Sequence, residues 1–426
     1  MPPSACAARP RLTYSVGYES PAALRAAAMN RATVVRHVPA LRVAQVRAAP
    51  TVAANISRRA GIRFVERVVP RREAAEPALQ LASGKTVAWE WQYAAAHEDA
   101  VPDWVLRRAA SITIAVVDTG ADVSAPDIAA KQPIRFNTRT HANDVPDTFG
   151  HGTFVAALAA GSVTNGEGIA GFGGDARLMV IKAGAGDGSF SDVDEAAAIA
   201  YAVDHGARII NLSLGGTRTS RTEQSAIDYA VHHGVLLVAA VGNLYLVGNP
   251  VVYPAALLQP FGSNGLGGRG LAVAASTASG VRASFSSTGT YVSLAAPGES
   301  VFSAISSASW SAAYVRVPLP SSLGGIYGYG SGTSFAAPQV AGAAALVLAA
   351  NPLLDAAAVA QVLKDSASGH GAWSLELGFG VIDAGSAVEL ASHTPAQSAH
   401  AVRRLRWKLT KRQNLLRIGA RWKGVR

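Results

Sequence analysis

Six short stretches of this chain are apolar almost throughout: "ITIAVV" (112–117), "LMVIK" (178–182), "RIINLS" (208–213), "VLLVAAV" (235–241), "LAVAAS" (271–276) and "VSLAA" (292–296). Side chains alternate between faces along a strand, so a strand with no polar face must be covered on both sides. Candidate helices begin near Gly150, Asp192, Glu223, Ser334, Asp355 and Asp383, between and after these runs. The alternation predicts an α/β body with a mostly parallel central sheet and helices on both faces. Functional residues in such folds sit beyond the carboxyl ends of the strands, which gives every candidate motif a positional test.

Ahead of the body, residues 1–72 read as β-α-β-β-α-β, the order of a small α+β, ferredoxin-like unit. "SPAALRAAAMN" has a serine cap and a proline at the first helical position, and Gly61 closes a second helix. Residues 73–90 carry charge, proline and glycine without periodicity and read as a linker; residues 91–392 form the body, and 393–426 a tail. The formal net charge of +10 is split unevenly: residues 1–88 hold 14 Lys/Arg and 4 Asp/Glu, residues 89–392 hold 14 and 24, and the tail holds 10 and none. A basic head and an acidic body should attract one another in a salt-sensitive way.

Several function classes drop out on composition. The single cysteine, Cys6, excludes an intrachain disulfide and a cysteine-ligated zinc site. A uniformly basic nucleic-acid binder would not carry an acidic body, so no nucleic-acid partner is expected. The longest apolar stretch, Val340 to Ala350, is 11 residues and reads as a buried helix rather than a membrane span. The first ten residues lack the apolar core of a secretory signal. In the tail, Val402, Leu405, Leu409 and Leu416 recur at helix-like spacing among ten basic residues. That pattern suits either a solvated tail or a weak contact with an anionic surface. "SGKT" (83–86) and "GLGGRG" (265–270) imitate phosphate-binding loops, but neither has the strand–loop–helix context that such loops need.

Four residues pass the positional test. Asp118 ends the strand "ITIAVVDTG", and Asn243 follows "VLLVAAVG". Taken singly, each could be an ordinary turn residue. His151 stands between glycines at a helix start, where the positive helix end favours a neutral imidazole able to act as a base. Ser334, in "GSGTSFAAPQVAGAAALVLAANP" (330–352), lies at the head of an apolar helix. Local chemistry alone makes such a serine a helix cap; as a nucleophile its own N–H and the helix dipole would face the attacked carbonyl. "NLSLGGT" (211–217) adds an extended edge of small residues suited to pairing with another backbone.

Together, "VVDTG", "HGTFVA" and "GTSFAAP", in the order Asp…His…Ser, resemble the three signatures of the subtilases, the subtilisin-like serine proteases. The resemblance spans roughly residues 89–392 and implies a subtilisin-like body. It also implies a serine endopeptidase with Asp118, His151 and Ser334 as catalytic triad and Asn243 as oxyanion donor. A catalytically silent binding module on the same fold is the alternative, against which the intact motifs stand. The resemblance further implies a substrate-binding strand at Ser213, Leu214, Gly215 and Gly216, and a specificity pocket made shallower and more apolar by Leu244 and Val252. Small or medium apolar residues are then expected before the scissile bond. The head resembles a subtilase propeptide, an intramolecular partner that docks on the body until autoprocessing in the linker. Phe154 departs from the family's second histidine. The remaining expectations are polypeptide substrates, a monomer, an extracellular or cell-envelope location, and no cofactor for the chemistry. Structural calcium, common in the family, is expected near "AAGSVTNGEGIAG" (159–171) with no ligand assigned.

Overall fold

Seven strands run parallel in one sheet in the order β13-β12-β11-β10-β6-β8-β7. They are β6 (Thr113–Asp118), β7 (Ile134–Asn137), β8 (Arg177–Lys182), β10 (Ile209–Leu212), β11 (Leu236–Ala240), β12 (Leu271–Ser276) and β13 (Leu294–Pro297). The computed structural model describes residues 11–28, 32–72, 90–166, 168–317 and 325–395. Cys6, the linker apart from Glu90, the "SGKT" segment and the tail beyond residue 395 lie outside the described residues.

The apolar runs behave as strands buried on both faces. Ile114, Val116, Leu178, Val180, Leu236 and Val238 pack into one core with the helices His151–Ala160 and Thr333–Ala350. Their neighbours Ala115, Val117, Met179, Ile181 and Leu237 pack into a second core with the helices Asp192–Asp204 and Arg221–His232. Each fully buried Val, Leu or Ile contributes about 1.5–3 kcal/mol, so this two-sided burial dominates the stability of the body. Helix starts follow capping chemistry. Ser191 and Asp194 form a capping box, and Ser220, Asp355 and Asp383 each accept a hydrogen bond from the backbone three residues on.

Pro338 is the sixth residue of the helix Thr333–Ala350 and has no N–H to offer the carbonyl of Ser334. Ser213 Oγ donates to that carbonyl instead, at 2.7 Å. A residue from another strand thus repairs the helix at the point where the proline breaks it. The helix is long and apolar enough to cross a bilayer, yet 94% of it is buried inside the body, as a core helix is.

The head has the element order read from the sequence: β1 (Leu12–Tyr18), a helix at Pro21–Ala28, β2 (Ala32–Val38), β3 (Val43–Ala48), a helix at Pro50–Ile56 and β4 (Ile62–Arg67). Its sheet is antiparallel, in the order β2-β3-β1-β4. Val38, Leu41, Val43 and Phe64 turn away from the head's own core and join the second core of the body. The sequence showed no trace of β5 (Pro70–Arg72), which pairs antiparallel with β9 (Ser189–Ser191) more than a hundred residues away. It also gave no sign of the small antiparallel sheet of β14 (Val301–Ala304), β15 (Val315–Val317) and β16 (Tyr327–Gly330). Both depend on partners remote in the chain.

Phe154, the departure in the histidine motif, is fully buried against the rings of Phe335 (4.2 Å between centroids) and Tyr314 (5.2 Å). Phe154→Ala is expected to lower the unfolding free energy by about 3–5 kcal/mol, the usual result of a cavity of that size. The check is a reduced urea midpoint with an unchanged slope.

Candidate active site

Three adjacent strands, β6, β10 and β11, deliver Asp118, Ser213 and Asn243 to the same carboxyl edge of the sheet. Asp118 is the last residue of β6, and its Oδ1 lies 2.7 Å from His151 Nδ1; both side chains are essentially without solvent contact. A carboxylate only accepts, so Nδ1 carries the proton and the basic lone pair of the neutral ring is on Nε2. The Thr119 N–H also donates to Asp118 Oδ1, which fixes the carboxylate from its own backbone.

The His151 helix has no side-chain cap at Gly150; Asp147 takes over that task. Asp147 Oδ1 accepts from Gly150 N, and Oδ2 accepts from Thr153 N and Oγ1. Thr119 Oγ1 donates to Asp147 and accepts from Gly152 N, joining the helix to the turn after Asp118. Glycine is required where the two meet. A Cβ on Gly152 would lie 2.1 Å from the Gly120 carbonyl oxygen, and Gly150 has a left-handed φ of 101°. Lys182 Nζ donates to the Thr119 carbonyl below this turn, and burial holds its pKa under the ordinary lysine value.

Ser334 is the second residue of its helix and is fully buried. Gly332 is the N-cap and Ser334 already stands inside the helix, so the serine is not acting as a cap. Its Oγ lies 3.4 Å from the Ser213 carbonyl. The next residue, Phe335, has its ring 5.7 Å from the imidazole of His151, which brings the helix start beside the Asp118–His151 pair. Asn243 Oδ1 accepts from both Thr333 N and Thr333 Oγ1 at 2.9 Å. With its oxygen committed, the amide can offer an oxyanion only its Nδ2 donors. Thr333 and Asp147, which orient Asn243 and the His151 helix, were not singled out in the sequence. Their positions within two and four residues of Ser334 and His151 were the only signals available.

All six residues expected at the substrate strand and pocket come together. Ser213, Leu214, Gly215, Gly216, Leu244 and Val252 line one cavity of about 230 Å³ with Ser334. Val252 narrows it, since Cβ atoms on Gly215 or Gly242 would each meet a Val252 methyl at 2.8 Å. Gly216 is bridged to Tyr253 across this cleft, while Gly215 exchanges both backbone hydrogen bonds with Arg72 of the head. "GLGGRG" forms a loop leading into β12, with no helix after it.

For metal binding, the described residues contain no cluster of three or more His, Cys, Asp or Glu side chains. The loop named for calcium does approach two buried carboxylates. Asp127 accepts from Asn165, Ile169 N and Tyr327, and Glu90 accepts from Ala170 N. Burial raises both, Glu90 to about 7, with Asp127 adding repulsion.

Comparison with known proteins agrees with this geometry. Residues 109–380 match the model of the subtilase family. The chain is 35% identical over 234 residues to a thermophilic serine proteinase of Bacillus sp. (strain AK1), covering 55% of this chain and 51% of the relative. It is 32% identical over 266 residues to subtilisin E of Bacillus subtilis (strain 168), covering 61% of each. The chain thus spans between half and two thirds of the length of these relatives. Among solved structures, fervidolysin from Fervidobacterium pennivorans, described as a keratinolytic enzyme related to subtilisin, superposes with a TM-score of 0.73 at 26% identity. That superposition covers 93% of this chain and 63% of fervidolysin. A match across most of the body, with the motif residues assembled at one sheet edge, identifies the chain as a member of the subtilase family.

Proposed function

We propose that the protein is a serine endopeptidase that hydrolyses peptide bonds through an acyl-enzyme. The observation that carries this reading is the buried 2.7 Å Asp118–His151 contact at the sheet edge, with Ser334 opening the adjacent helix. His151 Nε2 takes the proton of Ser334 as its oxygen attacks the scissile carbonyl. Asp118 holds the ring in that tautomer and stabilises the imidazolium as it forms. Asn243 Nδ2 and the Ser334 N–H receive the charge on the tetrahedral oxygen. His151 then returns the proton to the leaving amine, and water releases the acyl group by the same steps. The narrowing by Val252 supports small or medium apolar residues before the scissile bond.

The same reading makes the head an autoprocessed propeptide. Its Arg72 lies on the substrate strand as an added strand would, through paired hydrogen bonds of 2.9 and 3.1 Å to Gly215. No metal is needed for the chemistry. Asp127 is already filled by donors from Asn165, Ile169 N and Tyr327, a surrounding that suits a carboxylate and not a cation, so no calcium ligand is assigned there. Polypeptides as substrates, a monomeric state and an extracellular or envelope location complete the proposal, with the basic tail touching anionic surfaces weakly.

Covalent labelling by a fluorophosphonate tests the core of it. The processed protein should label at Ser334 and degrade casein, and Ser334→Ala should do neither; near-normal proteolysis by that variant would refute the assignment. Asn243→Ala is expected to lower kcat by about 100- to 1000-fold with little change in KM, a magnitude established on subtilisin's own oxyanion asparagine. Expression without residues 1–72 is expected to cut the yield of folded, active body severely. An undiminished yield would remove the propeptide role while leaving the protease reading in place.

A further inference from the structure

We propose that the body carries a buried acidic subsite, formed by Glu195 and Glu223, that selects arginine as the fourth residue before the scissile bond. The inference rests on the endopeptidase reading and adds a specificity to it.

Strand β5 lies in the groove between two segments of the body. On one side Pro70, Arg71 and Arg72 pair antiparallel with Ser191, Phe190 and Ser189; on the other Arg72 pairs antiparallel with Gly215. The second pairing sets a register for anything bound there as a strand. Ser213 stands two residues before Gly215, so it faces the residue two places beyond the one at the Arg72 position. Because the Ser213 carbonyl is 3.4 Å from Ser334 Oγ, that facing residue is the one whose carbonyl would be attacked. Counting back from it, the side chain at the Arg71 position is the fourth before the scissile bond.

That side chain enters a pocket built for a guanidinium. Arg71 is 1% exposed, and each of its three nitrogens has its own partner. Nε is 3.2 Å from Glu195 Oε2, Nη2 is 2.8 Å from Glu223 Oε1, and Nη1 donates to the Arg218 carbonyl at 2.7 Å. Both glutamates are fully buried and stand in the first turns of body helices Asp192–Asp204 and Arg221–His232. The acidic walls therefore belong to the body and outlast any removal of the head. Gly216 leaves room for Nη1, which a Cβ there would approach to 3.3 Å.

Two buried carboxylates this close repel each other and lose their hydration, so they need a cation between them. Burial raises both carboxyls above their ordinary range, Glu223 adds repulsion at Glu195, and the Arg71 guanidinium opposes the rise at each. A neutral side chain would remove that opposing charge and drive both further toward protonation. Lysine could supply the charge but not the planar fork that reaches two carboxylates and a carbonyl at once. Arginine satisfies all three. In sequence the same count from Arg71 runs Arg71-Arg72-Glu73-Ala74, so a peptide copied from it carries a small residue before the counted bond.

The test compares peptides on the processed enzyme. The peptide Ac-Arg-Arg-Glu-Ala-Ala-Glu-Pro-Ala-amide and versions with leucine or lysine as the first residue are assayed for kcat/KM, with casein as a separate substrate. Arginine is expected to exceed leucine by roughly 30- to 5000-fold, the range for truncating one partner of a buried, hydrogen-bonded charge pair, with lysine between. Cleavage is expected after the first alanine, and in Glu195→Gln/Glu223→Gln the arginine-to-leucine ratio should collapse toward one. Arginine and leucine peptides cut within threefold of each other, or cut elsewhere, or left intact while casein is degraded, would overturn the subsite and spare the protease reading. Absence of casein degradation and of fluorophosphonate labelling would overturn the protease reading, and the subsite with it.

Discussion

The contact between the end of β6 and the start of the His151 helix constrains the rest of the site. Asp118 and His151 are separated by 33 residues, yet one hydrogen bond of 2.7 Å in a solvent-free position must join them. Such closeness is available because Gly152 has no side chain, since a Cβ there would lie 3.1 Å from Asp118 Cβ and closer still to the Gly120 backbone. Asp147 then does two jobs. It caps a helix whose own N-cap is a glycine, and through Thr119 it ties that helix to the turn carrying Asp118. A buried polar network of this sort is rigid when fully satisfied, and rigidity is what an acid–base pair needs.

The Ser334 helix shows the same economy. A proline in the sixth helical position ordinarily leaves a buried carbonyl without its donor. Here that carbonyl belongs to Ser334, and its replacement donor is Ser213, whose own carbonyl faces the Ser334 hydroxyl. The segment after β10 and the serine are therefore locked to each other by a bond that exists because of Pro338. Thr333 locks the third party, turning the oxygen of Asn243 inward. The helix start is thus held by hydrogen bonds from two neighbouring strand ends as well as by the packing of its apolar length.

What could be read in advance follows a physical division. Continuous apolar runs such as "LAVAAS" report two-sided burial directly, and that strand was placed to the residue. The helix starts expected near Asp192, Asp355 and Asp383 fall within one residue of those observed, because capping is chemistry within one turn. The substrate-cavity residues were legible only through the family resemblance, since Leu244 and Val252 have no local signature of a pocket. Thr333 and Asp147 escaped notice because orienting a neighbour leaves no periodic trace. Strand β5 was invisible for a related reason: a three-residue strand with two arginines is extended only because β9 and Gly215 supply its hydrogen bonds.

The charge split between head and body anticipated attraction, but the structure relocates its source. Net charges act through water, where screening at physiological salt confines them to about 8 Å. The specific contacts are few and mostly desolvated. Arg36 meets Asp194, Glu66 accepts from Thr222 N at the start of a body helix, and Arg71 meets Glu195 and Glu223 with no solvent at all. Glu66 keeps partial solvent contact and can exchange its partner for water at modest loss. The Arg71 contacts cannot, because breaking them strands two carboxylates in the interior. Net charge is thus the weaker tie between head and body, and one buried guanidinium the stronger. The same division would apply to any polypeptide that enters the groove, so the feature that holds the head in place is also the feature by which a substrate would be recognised.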